Sequence, residues 1–149
     1  MTNSEVKITK VFNVPIDKVW DALTNPESIK QWHAPEGMTN PEVTGELLVG
    51  GKYKIVMEGH NMPNESYNGI MSVGGEYIEI DKPHKLVFTW LWDGAPAQTH
   101  TTTVSMTLND MGDKTELELI HNGFADDNMM LEHNAGWEST LTKLEKFLS

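Results

Sequence analysis

The chain contains no cysteine and no arginine. The first absence excludes disulfides, thiolate nucleophiles and sulfur-ligated zinc, and it fits a reducing compartment. The second leaves lysine as the only strong base: 11 lysines stand against 22 acidic residues, for a formal charge of -11. Without the planar guanidinium that grips phosphates and guanine edges, so acidic a chain would repel a polyanion, and nucleic acid is excluded as a partner. Long apolar runs are also missing, since crossing a bilayer takes roughly 20 such residues in one stretch. No membrane association is expected. The opening residues, MTNSEVKITK, carry no basic-then-apolar leader, so the sequence predicts a cytoplasmic protein. No phosphate-cradling loop is present: Gly50-Gly51 and Gly74-Gly75 belong to neither GxxxxGK[ST] nor GxGxxG. There is no GxSxG nucleophile elbow either.

What is present is the patterning of one domain over residues 1–149, with no repeat, low-complexity run or linker. Residues 5–12 alternate, with Val6, Ile8 and Phe12 on one face, and Lys10 interrupting that face. Pro15 suits the first turn of a short helix bearing Val19, Trp20 and Leu23, and Asn25-Pro26 ends it before a second turn carrying Ile29 and Trp32. Six strands then follow at 42–49, 52–58, 67–80, 85–92, 99–109 and 114–121, the third with a break expected near Gly74-Gly75. Gly50-Gly51, Lys82-Pro83-His84 and the loop 109–113 supply the turns. Residues 127–148 place Met130, Trp137, Leu141, Leu144 and Leu148 at helical spacing, a helix of about 33 Å that needs an apolar surface to cover. The fold class is therefore α+β: a seven-stranded curved antiparallel sheet, two short helices after strand 1, and a long C-terminal helix across the concave face.

Strand parity selects the candidate site. In 85–92, Leu86, Phe88, Trp90 and Trp92 share the helix-facing side. In 114–121, His121 falls opposite the charged Glu116 and Glu118, hence inward, and in 52–58 the inward set is Tyr53, Ile55 and Met57. His133 and Trp137, four apart on the last helix, look toward the same space. The predicted ligand-binding set is Trp32, His33, Tyr53, Met57, Tyr67, Trp90, Trp92, His121, His133 and Trp137. Any one of these rings could serve only to fill core. As a set with a few polar atoms they suit the walls of an apolar pocket.

The six histidines form no HxH or HExxH pair, so neither a metal nor any other cofactor is expected. His121 and His133 are the candidates for acid–base work, yet neither has an orienting carboxylate evident in sequence, and no catalytic residue is assigned. The structural role expected for His121 is a hydrogen bond tying the segment Asn122-Gly123-Phe124 to the last helix.

Several ordered motifs carry a resemblance over nearly the whole chain. They are Pro15 with Val19-Trp20, Trp32 to Pro35 (WHAP), Gly50-Gly51, Glu76 to Trp90 (EYIEIDKPHKLVFTW), Leu119 to Phe124 (LIHNGF) and Gly136-Trp137. The chain resembles the helix-grip superfamily (SRPBCC) of START domains, polyketide cyclases and plant pathogenesis-related allergens. Within it, the chain looks most like the domain named for the C-terminal part of the activator of the 90-kDa heat-shock protein ATPase. That resemblance implies a single START-like helix-grip domain that binds a small hydrophobic or aromatic ligand between sheet and last helix. It offers as alternatives a cyclase- or lyase-type enzyme using the same pocket and a co-chaperone-like module with a chaperone as partner. Monomer and homodimer both remain open. Two departures stand out: family members often read Trp-Trp-Gly-Pro where this chain has Trp32-His33-Ala34-Pro35, and the separate N-terminal domain of the chaperone activators has no counterpart here.

Overall fold

The computed structural model describes residues 5–63, 65, 68–93 and 101–149. Strand β1 (Val6–Phe12) leads into helices α1 (Ile16–Thr24) and α2 (Pro26–Ile29), followed by β2 (Val43–Gly45), β3 (Lys52–Gly59), β4 (Gly69–Asp81), β5 (Lys85–Asp93), β6 (Thr102–Asp110), β7 (Thr115–Asn122) and α3 (Asp127–Leu148). The strands form one antiparallel sheet in the order β1-β7-β6-β5-β4-β3-β2. Except for β1, which returns beside β7, the sheet is a meander of hairpins, as local turn chemistry favours. The two short helices and α3 cover its inner face, which carries the core residues Leu86, Phe88, Val104, Met106, Leu117 and Leu119. This is the helix-grip arrangement expected from the pattern.

Local chemistry explains most boundaries. Asn25 ends α1 and caps α2, its side-chain oxygen accepting from the Glu27 backbone N–H at 3.1 Å. Trp32 then turns back to donate its indole N–H to the Ala22 carbonyl at 2.9 Å, which locks the two short helices together. Asp126 caps α3 by accepting from the Met129 N–H at 2.8 Å. The buried stripe of α3 begins at Met129 and runs through His133, Trp137, Leu141 and Leu144, leaving Met130 and Leu148 only partly covered. Lys10, the interruption in β1, reaches Glu145 of α3 at 3.3 Å, so its charge lies at the rim of the interface.

Two strands differ from expectation. The segment 42–49 is a strand only over Val43–Gly45, because the chain then curls on itself: Glu46 N–H bonds Lys52 O, Gly51 N–H bonds Leu48 O, and Gly50 N–H bonds Tyr77 O. Leu48 and Val49 consequently face solvent, 49% and 63% exposed. At Gly74-Gly75 the interruption falls on the pairing rather than on the strand: β4 runs as one strand from Gly69 to Asp81, while its pairing with β5 steps from Gly74–Leu91 to Tyr77–Phe88 and shifts register between Tyr77 and Glu79. These glycines permit a close approach. A Cβ on Gly75 would lie 2.1 Å from the Thr89 carbonyl oxygen of β5. With no side chain there, Tyr53 of β3, the register partner of Gly75, spans β4 and donates its hydroxyl to that same Thr89 carbonyl.

Glycine substitutions test this packing. Gly75→Ala should destabilise the protein by about 3 kcal/mol or more, as overpacking against fixed backbone does. Gly136→Ala, in α3 with open space around its missing Cβ, should stabilise by about 0.5–1 kcal/mol. Urea unfolding of both variants measures the contrast.

Candidate functional site

Between α3 and the sheet, the inward rings of β5, β7 and α3 meet in one aromatic cluster. Trp90 lies 5.2 Å from Trp137, 5.5 Å from His121 and 5.6 Å from Trp92, centroid to centroid, and His121 lies 5.2 Å from His133. Phe124 closes the far side, 4.5 Å from His121 and 5.0 Å from His133. Seven of the ten residues selected by strand parity and helix spacing thus lie in or against this cluster: Trp32, His33, Trp90, Trp92, His121, His133 and Trp137, with His33 5.3 Å from Trp137 and 4.8 Å from Trp32. Tyr53 and Met57 are buried on β3, and Tyr67 lies outside the described residues.

Hydrogen bonds fix the tautomer of two histidines. The indole N–H of Trp137 donates to His121 Nδ1 at 3.0 Å. An indole nitrogen is only a donor, so His121 Nδ1 bears no proton and its proton sits on Nε2. That Nε2 lies 2.6 Å from the Thr102 hydroxyl, which in turn donates a hydrogen bond to the Trp90 carbonyl at 3.2 Å. His133 is held in the opposite tautomer: its Nδ1 faces the Met129 carbonyl at 2.8 Å, and its Nε2 accepts from the Trp92 indole at 2.9 Å. Protonating either ring would set N–H against N–H. Burial acts in the same direction, pushing the His121 pKa down to about 2 with His133 adding to the effect, and lowering that of His133 as well. Both rings are therefore neutral structural acceptors at physiological pH. The bond expected from His121 to the last helix is the one from Trp137, and with every nitrogen engaged neither histidine is placed to shuttle protons.

His33 differs. The segment after α2 is strapped to α3 by three polar contacts: Glu36 N–H to Ser139 Oγ at 2.8 Å, Lys143 Nζ to Met38 O at 3.0 Å, and Lys146 to Glu36 at 3.1 Å. Asn40 ties its far end by donating to the carbonyls of His33 and Val56, both at 3.0 Å. The strap buries His33, whose pKa falls to about 4 mainly through desolvation, partly offset by its own backbone and lowered further by Lys143. Its Nδ1 has no hydrogen-bond partner among the described residues, and neither has the indole Nε1 of Trp90. A buried polar atom left unpaired costs about 1–3 kcal/mol. The two rings lie 5.9 Å apart, close to parallel at 29°.

His33 also forms one wall of a cleft away from α3, between the short helices and the inner face of β2 to β6. Leu23, Ile29 and Trp32 stand on the helix side, with Tyr53, Tyr77 and Phe88 on the sheet side. Tyr77 and Phe88 were not among the residues singled out from sequence, although Phe88 shares the parity of Trp90 and Tyr77 that of Val73 and Gly75. Burial raises the pKa of both tyrosines, Tyr53 well above the ordinary phenol range, so both present neutral hydroxyls. The enclosed volume is about 20 Å³, enough for one water-sized sphere. Among the described residues no three His, Asp or Glu side chains converge as metal ligands, and no helix is long and apolar enough to cross a membrane.

Acid stability tests the neutral histidines. Because the folded-state pKa values of His121 and His33 lie below the ordinary 6.5, the unfolded chain binds these protons first as pH falls. Their contribution to stability is complete above about pH 6.5 and is lost progressively toward pH 4 for His33 and pH 2 for His121. His121→Leu should flatten the dependence of unfolding free energy on pH between 6 and 4 by about 1.4 kcal/mol per pH unit. An unchanged slope would show that His121 titrates alike in both states.

Comparison with known proteins agrees with this architecture. The family model described as Activator of Hsp90 ATPase homolog 1-like protein matches residues 13–149. No curated protein matches the chain. Among solved structures, protein CV1439 from Chromobacterium violaceum is similar at TM-score 0.84 and 21% identity, covering 99% of this chain and 98% of that one. The AHSA1 protein from Silicibacter pomeroyi is similar at TM-score 0.80 and 24% identity, with 96% of each chain covered. At those identities the likeness is one of fold. CalU16 from Micromonospora echinospora is similar at TM-score 0.70 and 28% identity, covering 97% of this chain and 76% of that one. With 137 consecutive positions matched from the end of β1 to the C-terminus, the chain belongs to the Activator of Hsp90 ATPase homolog 1-like family.

Proposed function

We propose that the protein binds a small apolar or aromatic molecule in the cleft between the short helices and the inner face of the sheet. The observation that carries this reading is the wall chemistry: Leu23, Ile29 and Trp32 on the helix side face Tyr53, Tyr77 and Phe88 on the sheet side, with a single imidazole, His33, among them. The space under α3 is occupied by the protein's own rings, so the cleft rather than the α3 interface is the site of entry. An occupant of drug-like size needs roughly 300 Å³ or more, which requires one wall to yield. Edge strand β2 is suited to that, because it pairs with β3 on one side and has no strand on the other. Catalysis is not part of the proposal, because His121 and His133 are held as acceptors.

A chaperone-contact reading draws on the family description and on the exposed turn carrying Leu48 and Val49. Substituting both by aspartate should abolish retention on an immobilised chaperone if that turn is the contact, and should leave small-molecule binding intact.

Intrinsic tryptophan fluorescence, titrated with a panel of phenyl and naphthyl compounds, tests the cleft. Saturable quenching is expected for the wild type. Gly45→Val, which adds bulk beside Tyr53 and Tyr77, should weaken binding ten-fold or more with little loss of stability. Equal binding by that variant, or no saturable ligand in the panel, contradicts the assignment.

A further inference from the structure

We infer that the occupant of this cleft carries a neutral acceptor oxygen, of the aryl ketone type, which the Tyr77 hydroxyl binds beside Gly45. The inference rests on the cleft reading above and specifies the ligand's polar end. The rings of Tyr53 on β3 and Tyr77 on β4 lie 5.6 Å apart, and their hydroxyls run in opposite directions along the inner face. That of Tyr53 passes over Gly75 and is matched by the Thr89 carbonyl. That of Tyr77 reaches β2, where a Cβ on Gly45 would lie 3.6 Å from its oxygen and 3.5 Å from Tyr53 Cβ. Gly45 is the register partner of Tyr53, so the Cβ position in question is on the same inner face as the Tyr53 ring. Gly45 and Tyr77 are both walls of the cleft, and the hydroxyl between them stands at its β2 end. Tyr77 is only 5% exposed, yet its hydroxyl has no hydrogen-bond partner among the described residues.

The surroundings narrow what this hydroxyl would take. Burial raises the Tyr77 pKa, so the group stays a neutral phenol with a proton to give. A ketone oxygen accepts that proton and brings none of its own, and its aryl ring suits Trp32, Tyr53 and Phe88. A ligand that can only donate would use a lone pair of the tyrosine and leave its proton unmatched. A hydrocarbon would leave the whole hydroxyl unmatched. A carboxylate fits poorly, because the walls include no lysine and His33 is held neutral by burial. Lys52 and Lys54 alternate along β3 with the inward Tyr53 and Ile55, and so point away from the cleft. An anion would therefore enter without a counter-charge.

Acetophenone, α-methylstyrene and benzoate have nearly the same shape and differ in the group presented: a ketone oxygen, a methylene and a carboxylate. Each is titrated at pH 7 into the 149-residue chain, and its affinity is read from the backbone amide shifts in ¹H–¹⁵N NMR spectra. Acetophenone should bind about ten-fold more tightly than α-methylstyrene, the gain expected of one well-made hydrogen bond and opposite to the order set by simple partitioning from water. Benzoate should bind more weakly than acetophenone. Tyr77→Phe keeps the ring and deletes the hydroxyl, and should bring the acetophenone-to-α-methylstyrene affinity ratio toward one by weakening acetophenone alone. A ratio near one in the wild type, a ratio that survives Tyr77→Phe, or benzoate binding tighter than acetophenone overturns the ketone inference while leaving an apolar cleft in place. If none of the three probes saturates, the cleft reading fails and this inference fails with it.

Discussion

The 3.0 Å bond from the Trp137 indole to His121 Nδ1 is the contact on which the remaining arrangement depends. It joins the middle of α3 to β7, beside the edge strand β1, in a place from which water is excluded: His121 is 0% exposed and Trp137 is buried. In such surroundings a hydrogen bond is stronger than in water, and an unmatched donor is correspondingly costly. The bond also dictates chemistry. With Nδ1 occupied by a group that can only donate, the imidazole proton must lie on Nε2, where Thr102 receives it and relays the chain of bonds to the backbone of β5. One indole thereby sets the protonation of a histidine and, through it, links β5, β6, β7 and α3.

A second indole–imidazole pair, Trp92 with His133, repeats the device in the opposite tautomer. Two of the residues that resemble catalytic candidates by type are thus part of the clamp holding helix to sheet. The consequence for function is spatial. With the region under α3 filled by rings, the unfilled space lies toward α2 and β2, where helix capping by Asn25, the Trp32 anchor and the Gly75 approach of Tyr53 place aromatic walls. His33 belongs to both regions, as a neighbour of Trp90 and Trp137 and as a wall of the cleft.

Much of this was legible in the sequence. Period-two burial in β5 and β7 and the apolar stripe of α3 oriented Trp90, His121, His133 and Trp137 correctly, because one-sided burial leaves a strand or helix little choice of face. The shortening of β2 was not legible. Leu47, Leu48 and Val49 read as strand by composition, yet backbone bonds among Glu46, Leu48, Gly51 and Lys52 close a turn that leaves those side chains in solvent. The glycine pair in β4 marked something unusual, but a break and a close backbone approach share that signal, and only the position of Thr89 separates them. Tautomers were out of reach for a similar reason. Residue type gives an imidazole two possible protons, and the partner that selects between them comes from an element 16 residues away for His121 and 41 for His133. The role of Tyr77 and Phe88 as cleft walls likewise depends on how the short helices sit over the sheet, which strand parity does not encode.

Long-range ¹H–¹⁵N correlation of the histidine rings tests the central claim most directly, because the ¹⁵N shifts distinguish the two neutral tautomers from each other and from imidazolium. At pH 7, His121 should appear as the neutral Nε2–H form and His133 as the neutral Nδ1–H form, with His121 still neutral at pH 5. The opposite tautomer at either ring, or titration of His121 near its ordinary value of 6.5, would contradict the account.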